Sequence, residues 1–187
     1  GHSIGNLLQR DFEAGSDKTQ RQMREQRKKM GLIITHTGFI LDYLTAGGFP
    51  EATNLEPAAR HLLLKDYVDV AILRDVVERH RIGNMTALRW LVRQLLGNAG
   101  GLFSVEKFYA SVKSQGMSVS RDALHEFVSY LQDCFLVRTL WVEAASERQR
   151  MVNPRKAYPV DPALIPVFDR TGRANLGHAL ETTVLLE

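Results

Sequence analysis

Between Leu102 and Asp161 the residue pattern admits few folds. Ser104–Ser114 places apolar residues at helical spacing, Gly116-Met117-Ser118 reads as a turn, and Ser120–Phe135 is a second amphipathic helix. Val137-Arg138-Thr139-Leu140-Trp141-Val142 then alternates as a half-buried strand does. A polar loop follows, and Lys156-Ala157-Tyr158-Pro159-Val160 reads as the returning strand. Ser104 and Ser120 stand where a hydroxyl can accept from the first free amides of each helix. Val105, Phe108 and Val112 should face inward from the first helix, and Leu124, Phe127, Val128, Leu131 and Phe135 from the second. Trp141 reads as strand core or as a lid over the hydrophobic edge, and Cys134 as a small packed hydrophobe. Helix, turn, helix, strand, loop, strand is the order of a winged helix with a small two-stranded β wing, an architecture that often binds nucleic acid.

Upstream the chain reads as helix after helix, so the expected class is mainly α: a helical bundle followed by the winged-helix-like domain. Phe39, Ile40, Tyr43 and Leu44 share one helical face, and Gly47-Gly48-Phe49-Pro50 stops that helix. Pro57 suits the first turn of a long helix reaching Arg81, with Leu64, Val68, Ala71, Ile72 and Val76 as its apolar stripe. Asp75 and Arg79 are four apart, the favourable acid-first order for an ion pair. Asn84 should cap the next helix, which buries Leu88, Leu91, Val92, Leu95 and Leu96 before Gly97-Asn98-Ala99-Gly100-Gly101 ends it. Ala163–Phe168 and Asn175–Glu187 read as further helices, the last stopping in mid-pattern as in a chain cut from a longer protein. The expected divisions are a charged arm over 1–38, a helical bundle segment over 39–100, the winged-helix-like domain over 101–170, and the first helix of a following domain over 171–187.

Composition excludes more than it identifies. No run approaches the ~20 apolar residues of a membrane span, so no membrane partner is expected. A net charge of +3 is too mild to mark a dedicated nucleic-acid binder. Lys18–Met30 is dense in charge without interleaved aromatics, the pattern of a solvated helix or partly ordered arm. With one cysteine and no signal-peptide pattern, the expected location is cytoplasmic. There is no phosphate loop, no paired-cysteine or His-Glu-x-x-His metal motif and no nucleophile elbow, so neither catalytic nor metal-ligating residues are expected. His61, His80 and His125 stand on charged helix faces and read as solvated, and His178 and Glu181 share a face.

One set of segments is more specific. Tyr43-Leu44-Thr45-Ala46-Gly47-Gly48-Phe49-Pro50-Glu51, then Asp66-Tyr67-Val68, then Leu73-Arg74-Asp75-Val76-Val77-Glu78-Arg79 resembles the C-terminal region of a bacterial and archaeal family of P-loop ATPases of the AAA superfamily. The resemblance runs on through Leu95–Asn98, Tyr130–Leu136 and Asn153–Lys156 to Gly177–Glu181. It implies a nucleotide-binding core before this region and a restriction-nuclease-like domain after it. Neither is present in these residues, so ATP and Mg are expected only of a parent protein, and the chain itself is not expected to be an enzyme.

Two readings of function follow. In the first, the winged helix is an accessory arm that couples to the ATPase core and contacts DNA; Arg121, Arg148, Arg150, Arg155 and Lys156 are then the candidate DNA contacts. Asp122, Glu126 and Asp133 on the second helix would be repelled by phosphate, so the wing is the better contact. In the second, the region is a structural or assembly element, with self-association left open. The Leu73-Arg74-Asp75 segment would pack on the core, with Arg74 as the coupling residue or simply the partner of Asp75. A stand-alone DNA-binding module is the further alternative.

Overall fold

The computed structural model describes Glu25, Lys28 and residues 37–141, 154–169 and 176–186. The chain divides into two compact units, 1–41 and 42–187. In the first, Glu25, Lys28 and 37–41 are helical; most of the charged arm expected over 1–38 lies outside the described residues.

Helix α1 covers 37–46. It is followed by α2 (Pro50–Thr53), α3 (Pro57–Ala71), a π-helical segment (Ile72–Glu78) and α4 (Met85–Gly97). Then come β1 (Leu102–Phe103), α5 (Val105–Ser114), α6 (Arg121–Asp133), β2 (Val137–Trp141), β3 (Arg155–Pro159), α7 (Leu164–Phe168) and α8 (Leu176–Leu186). The protein is therefore mainly helical, with one small antiparallel sheet, and among the described residues no helix is long and apolar enough to cross a membrane.

The sheet has three strands rather than the expected two, in the order β1-β3-β2. Leu102 pairs with Lys156 and Phe103 with Arg155, while β2 runs against β3 from Val137 opposite Pro159 to Trp141 opposite Arg155. A two-residue strand carries no alternation to read, which is why β1 was hidden in the sequence. The series α4, β1, α5, α6, β2, β3, with β3 in the middle of the sheet, completes a winged-helix-like topology whose first helix is α4.

Three side-chain caps set the helix starts. Asn84 Oδ1 accepts from the Ala87 amide at 3.0 Å, Ser104 Oγ from Lys107 at 3.4 Å, and Ser120 Oγ from Ala123 at 3.1 Å. Asn84 also donates through Nδ2 to the Ser118 carbonyl at 2.7 Å, tying the start of α4 to the turn before α6. The expected stripes of α4 and α5 are buried, as are Leu124, Phe127, Val128 and Leu131 of α6. All share one core with Leu64 and Val68 of α3 and Ala157 of β3.

The long helix expected from Pro57 is present but changes character at Ile72. Leu64, Val68, Ile72 and Val76 are spaced strictly by four, and every one is buried. In an α-helix of 3.6 residues per turn a spacing of four drifts by about 40° at each step, which would carry Val76 away from the core. The π-helical segment has more residues per turn and cancels that drift. Its wider turns close with the Ile82 amide donating to the Val77 carbonyl at 3.3 Å.

The Gly-Gly-Phe-Pro segment is a clasp. Asp161, buried just past β3, accepts from the Gly48 amide at 2.7 Å through Oδ2 and from the Ala163 amide at 2.8 Å through Oδ1. Burial pushes its carboxyl above the usual range, and the two amide donors oppose that shift. Gly47 has φ +79, and a Cβ there would lie 2.1 Å from Asp161 Oδ1 and 2.7 Å from Ala163 Cβ. Only glycine fits. Gly47→Ala should destabilise the fold by about 2–4 kcal/mol through left-handed strain plus this overlap, read as a lowered urea midpoint. An unchanged midpoint would show that the clasp is not formed.

Candidate docking groove and wing

A groove of about 510 Å³ opens between the α3 and π-helical segment, the end of α6 and the start of α7. Phe49, Tyr67, Val70, Phe135, Val160 and Leu164 line it, with Arg74 and Cys134 also contributing to its wall. The Phe49 and Tyr67 rings tilt against each other at 5.5 Å. Thus the clasp places Phe49, and the π-helical segment places Arg74, on the same groove.

Phe135 is the side chain that most distinguishes this surface. It was expected inward with the stripe of α6, yet it is 78% exposed. The reason is the helix end. The Phe135 amide donates to the Gln132 carbonyl at 2.9 Å and the Leu136 amide to Leu131 at 3.0 Å, the paired bonds of a Schellman cap. That cap needs a left-handed residue after the helix, and Phe135 takes the position with φ +59. Glycine is the usual occupant; a phenyl group there is strained, and strain of this kind concentrates at functional surfaces. Val70 at 55% and Val160 at 40% exposure extend the same apolar face.

Arg74 pairs with its neighbour Asp75 through two bonds, Nε to Oδ1 at 3.0 Å and Nη2 to Oδ2 at 3.1 Å. Arg74 is thus the partner of Asp75, one of the two readings of its sequence position, while the Arg79 charge also acts on the Asp75 carboxylate without a hydrogen bond between them. The Asp75 hydrogen bond and charge raise the Arg74 pKa, and the hydrogen bond from Arg74 lowers that of Asp75. Leu73 beside them is exposed on a second groove with Asp66, Asp69 and Arg89. Cys134 is half-buried, its thiol pushed up by burial and placed 3.5 Å from the Leu131 carbonyl, so it is a weak nucleophile. His80 is not simply solvated: its ring stacks on Tyr130 with centroids 3.6 Å apart.

The basic candidates divide. Arg121 is paired with Glu106 at 3.1 Å and lies 5.5 Å over the Tyr109 ring, while Asp122, Glu126 and Asp133 are exposed along the rest of α6. Arg148 and Arg150 lie outside the described residues. Arg155 and Lys156 are adjacent in β3 and so point to opposite faces of the sheet. Arg155 lies on the face shared by Trp141 and by Thr139, whose hydroxyl meets Gln132 of α6 at 2.6 Å. Lys156 faces α8, where Nζ donates to Glu181 Oε1 at 2.6 Å and the Tyr158 hydroxyl donates to the same oxygen at 2.8 Å. Those two bonds lower the Glu181 pKa, and the bond to Glu181 raises that of Lys156. Gly100, at φ +70, supplies the room: a Cβ there would lie 2.8 Å from Glu181 Oε2. No cluster of metal-ligating side chains occurs among the described residues.

Sequence reasoning missed Phe135 as a surface residue, together with Val70 and the tie between Glu181 and Lys156. One signal was available: α6 ends before a strand with no glycine or asparagine at its C-terminal turn, so a left-handed cap at that end falls to a larger side chain.

A mainly helical protein with a small three-stranded antiparallel sheet and an open apolar groove is the class that this geometry defines. Residues 39–173 match the family model described as "Domain of unknown function (DUF8612)", and the chain belongs to that family. It is also 28% identical over 150 residues to "Uncharacterized protein MJ1544" of Methanocaldococcus jannaschii, an alignment covering 80% of this chain and 33% of that protein. The chain thus spans about a third of the length of that curated relative. No solved structure matches.

Two outcomes test the local chemistry. Phe135→Gly should leave stability within about 1 kcal/mol of wild type or above it, because relief of left-handed strain offsets the added freedom of the unfolded chain; a large loss in a urea titration would make Phe135 a packing residue. Glu181 has a lowered pKa in the folded state, so its contribution is present above the ordinary glutamate value and is lost as pH falls through the folded one. Glu181→Gln should lower the melting temperature at neutral pH and converge with wild type in acid, once the pH has fallen below the lowered folded-state value.

Proposed function

We propose that this chain is a non-catalytic accessory arm of an AAA-type ATPase, docking on the ATPase core through the Phe49–Arg74–Phe135 groove and contacting DNA through its wing. One observation carries the reading. The two segments on which the ATPase resemblance rests are far apart in sequence, yet Phe49 of one and Arg74 of the other line a single groove. The occupant is an apolar segment of the nucleotide-binding core in the same polypeptide. Two further facts fit this: the relative is about three times as long as the part matched here, and exposed Phe135, Val70 and Val160 suit an apolar anchor.

Arg74 then has a defined task. Its fork to Asp75 holds the guanidinium in place while leaving the side chain 70% exposed. Exchange of that partner for an acidic group or a phosphate on the core would couple nucleotide state to the arm. The acidic outer face of α6 disfavours base readout in a DNA groove, so DNA contact falls to the wing and is insensitive to sequence.

The test uses the full-length protein with its nucleotide-binding core. Arg74→Ala and Phe135→Gly should each lower the ATPase rate on the order of fivefold or more, the range of typical coupling energies, with nucleotide affinity unchanged. Alkylation of Cys134, which lines the groove, should be slower in the full-length protein than in residues 39–187 alone. Wild-type ATPase rates in both variants together with equal alkylation rates would overturn the reading.

A further inference from the structure

Arg155 differs from the other basic candidates among the described residues. Arg74, Arg121 and Lys156 each contact a carboxylate. Arg155 instead lies over the Trp141 ring, with its guanidinium carbon 4.0 Å from the ring centroid. The two residues are directly opposite across β2 and β3, the position in which antiparallel neighbours meet most closely. Arg155 is half-buried there, and desolvation is the only cause that moves its pKa, downward. A partly desolvated cation held over an aromatic face, with no carboxylate among the described residues taking up its N–H donors, is prepared for a planar or tetrahedral anion.

We propose that Arg155, oriented by Trp141, is a phosphodiester-binding site for duplex DNA at the base of the wing. This rests on the reading of the wing as a DNA contact and narrows it to one cation and its positioning residue. The ring blocks one face of the guanidinium and restricts the rotamers of a long side chain, so less freedom is lost when the fork closes on a phosphate. Trp141 remains 36% exposed beside it, leaving an open edge for the sugar-phosphate backbone. The site lies on the same sheet face as the Thr139–Gln132 contact with α6, at the end of β2 and β3 where the wing begins, so a duplex held by the wing reaches Arg155. Lys156, on the opposite face and tied to Glu181, is outside this path. Asp133 at the end of α6 is the nearest exposed acid in sequence to that contact, and its repulsion confines the phosphate to the Arg155 side.

The experiment is a titration of a labelled mixed-sequence duplex, read by fluorescence anisotropy over a series of salt concentrations. Tryptophan emission is recorded in a Trp90→Phe background, which leaves Trp141 as the reporter. Arg155→Ala should weaken binding about fivefold to tenfold and reduce the salt slope by about one, the signature of one lost phosphate contact. Trp141→Leu removes no charge, and should weaken binding about threefold while leaving the salt slope unchanged. Arg155→Lys should keep the slope but lose affinity, and Trp141→Phe, which keeps an aromatic face, should restore most of it. Duplex addition should change Trp141 emission. If the duplex binds wild type and all four variants equally, the site is overturned while the wing reading stands on other cations. If wild type binds no duplex at low salt, the wing reading falls and the site with it.

Discussion

The carboxylate of Asp161 is the contact on which the rest of the arrangement depends. It joins the stretch after α1 to the end of the sheet through two backbone amides, one from each side, and it does so from inside the protein. That clasp fixes where the chain leaves Gly48, and so where Phe49 and α2 meet α3. Arg60 completes the anchorage by donating to the Ala52 and Leu55 carbonyls at 3.0 and 2.8 Å, closing the C-terminal end of α2. A buried carboxylate is costly on its own; satisfied by two amides, it becomes a precise joint between elements far apart in sequence.

The same principle orders the other side of the molecule. Glu181 collects a lysine and a tyrosine from one face of β3, and Gly100 leaves the space for it. Two acidic residues therefore hold the central strand: one at its end, against the segment carrying Phe49, and one on its face, against α8. The surfaces proposed to meet partners lie outside both joints, on Phe135 and on the Arg155–Trp141 pair, where local chemistry is less satisfied.

Helices, their caps and the core stripes were legible in the sequence because each is written in local spacing. Asn84, Ser104 and Ser120 cap as expected, and the apolar positions of α4 and α5 are all buried. What escaped was non-local or depended on the chain breaking a local rule. Strand β1 is too short to alternate, and Phe135 continues an inward stripe until the helix end turns it out. Gly48 lies 113 residues from Asp161 and Lys156 25 residues from Glu181, beyond the reach of any periodicity. Candidate site residues were recognisable by type, but which of them were already engaged could be known only from the fold.

The π-helical segment has an evolutionary reading. Wide turns of this kind hold one residue more than an α-helix needs to span the same distance, so Ile72–Glu78 contains a built-in surplus. Loss of a single residue there would shorten the segment toward an ordinary helix without breaking the chain's path. Such a loss would turn the four-residue step from Ile72 to Val76 into the three-residue step of an α-helix, leaving Val76 within about 20° of Leu64 and still on the core face. Length in this segment is therefore freer than the identity of its inward residues, because the shared face of Leu64, Val68 and Val76 survives the change while the wide turn does not.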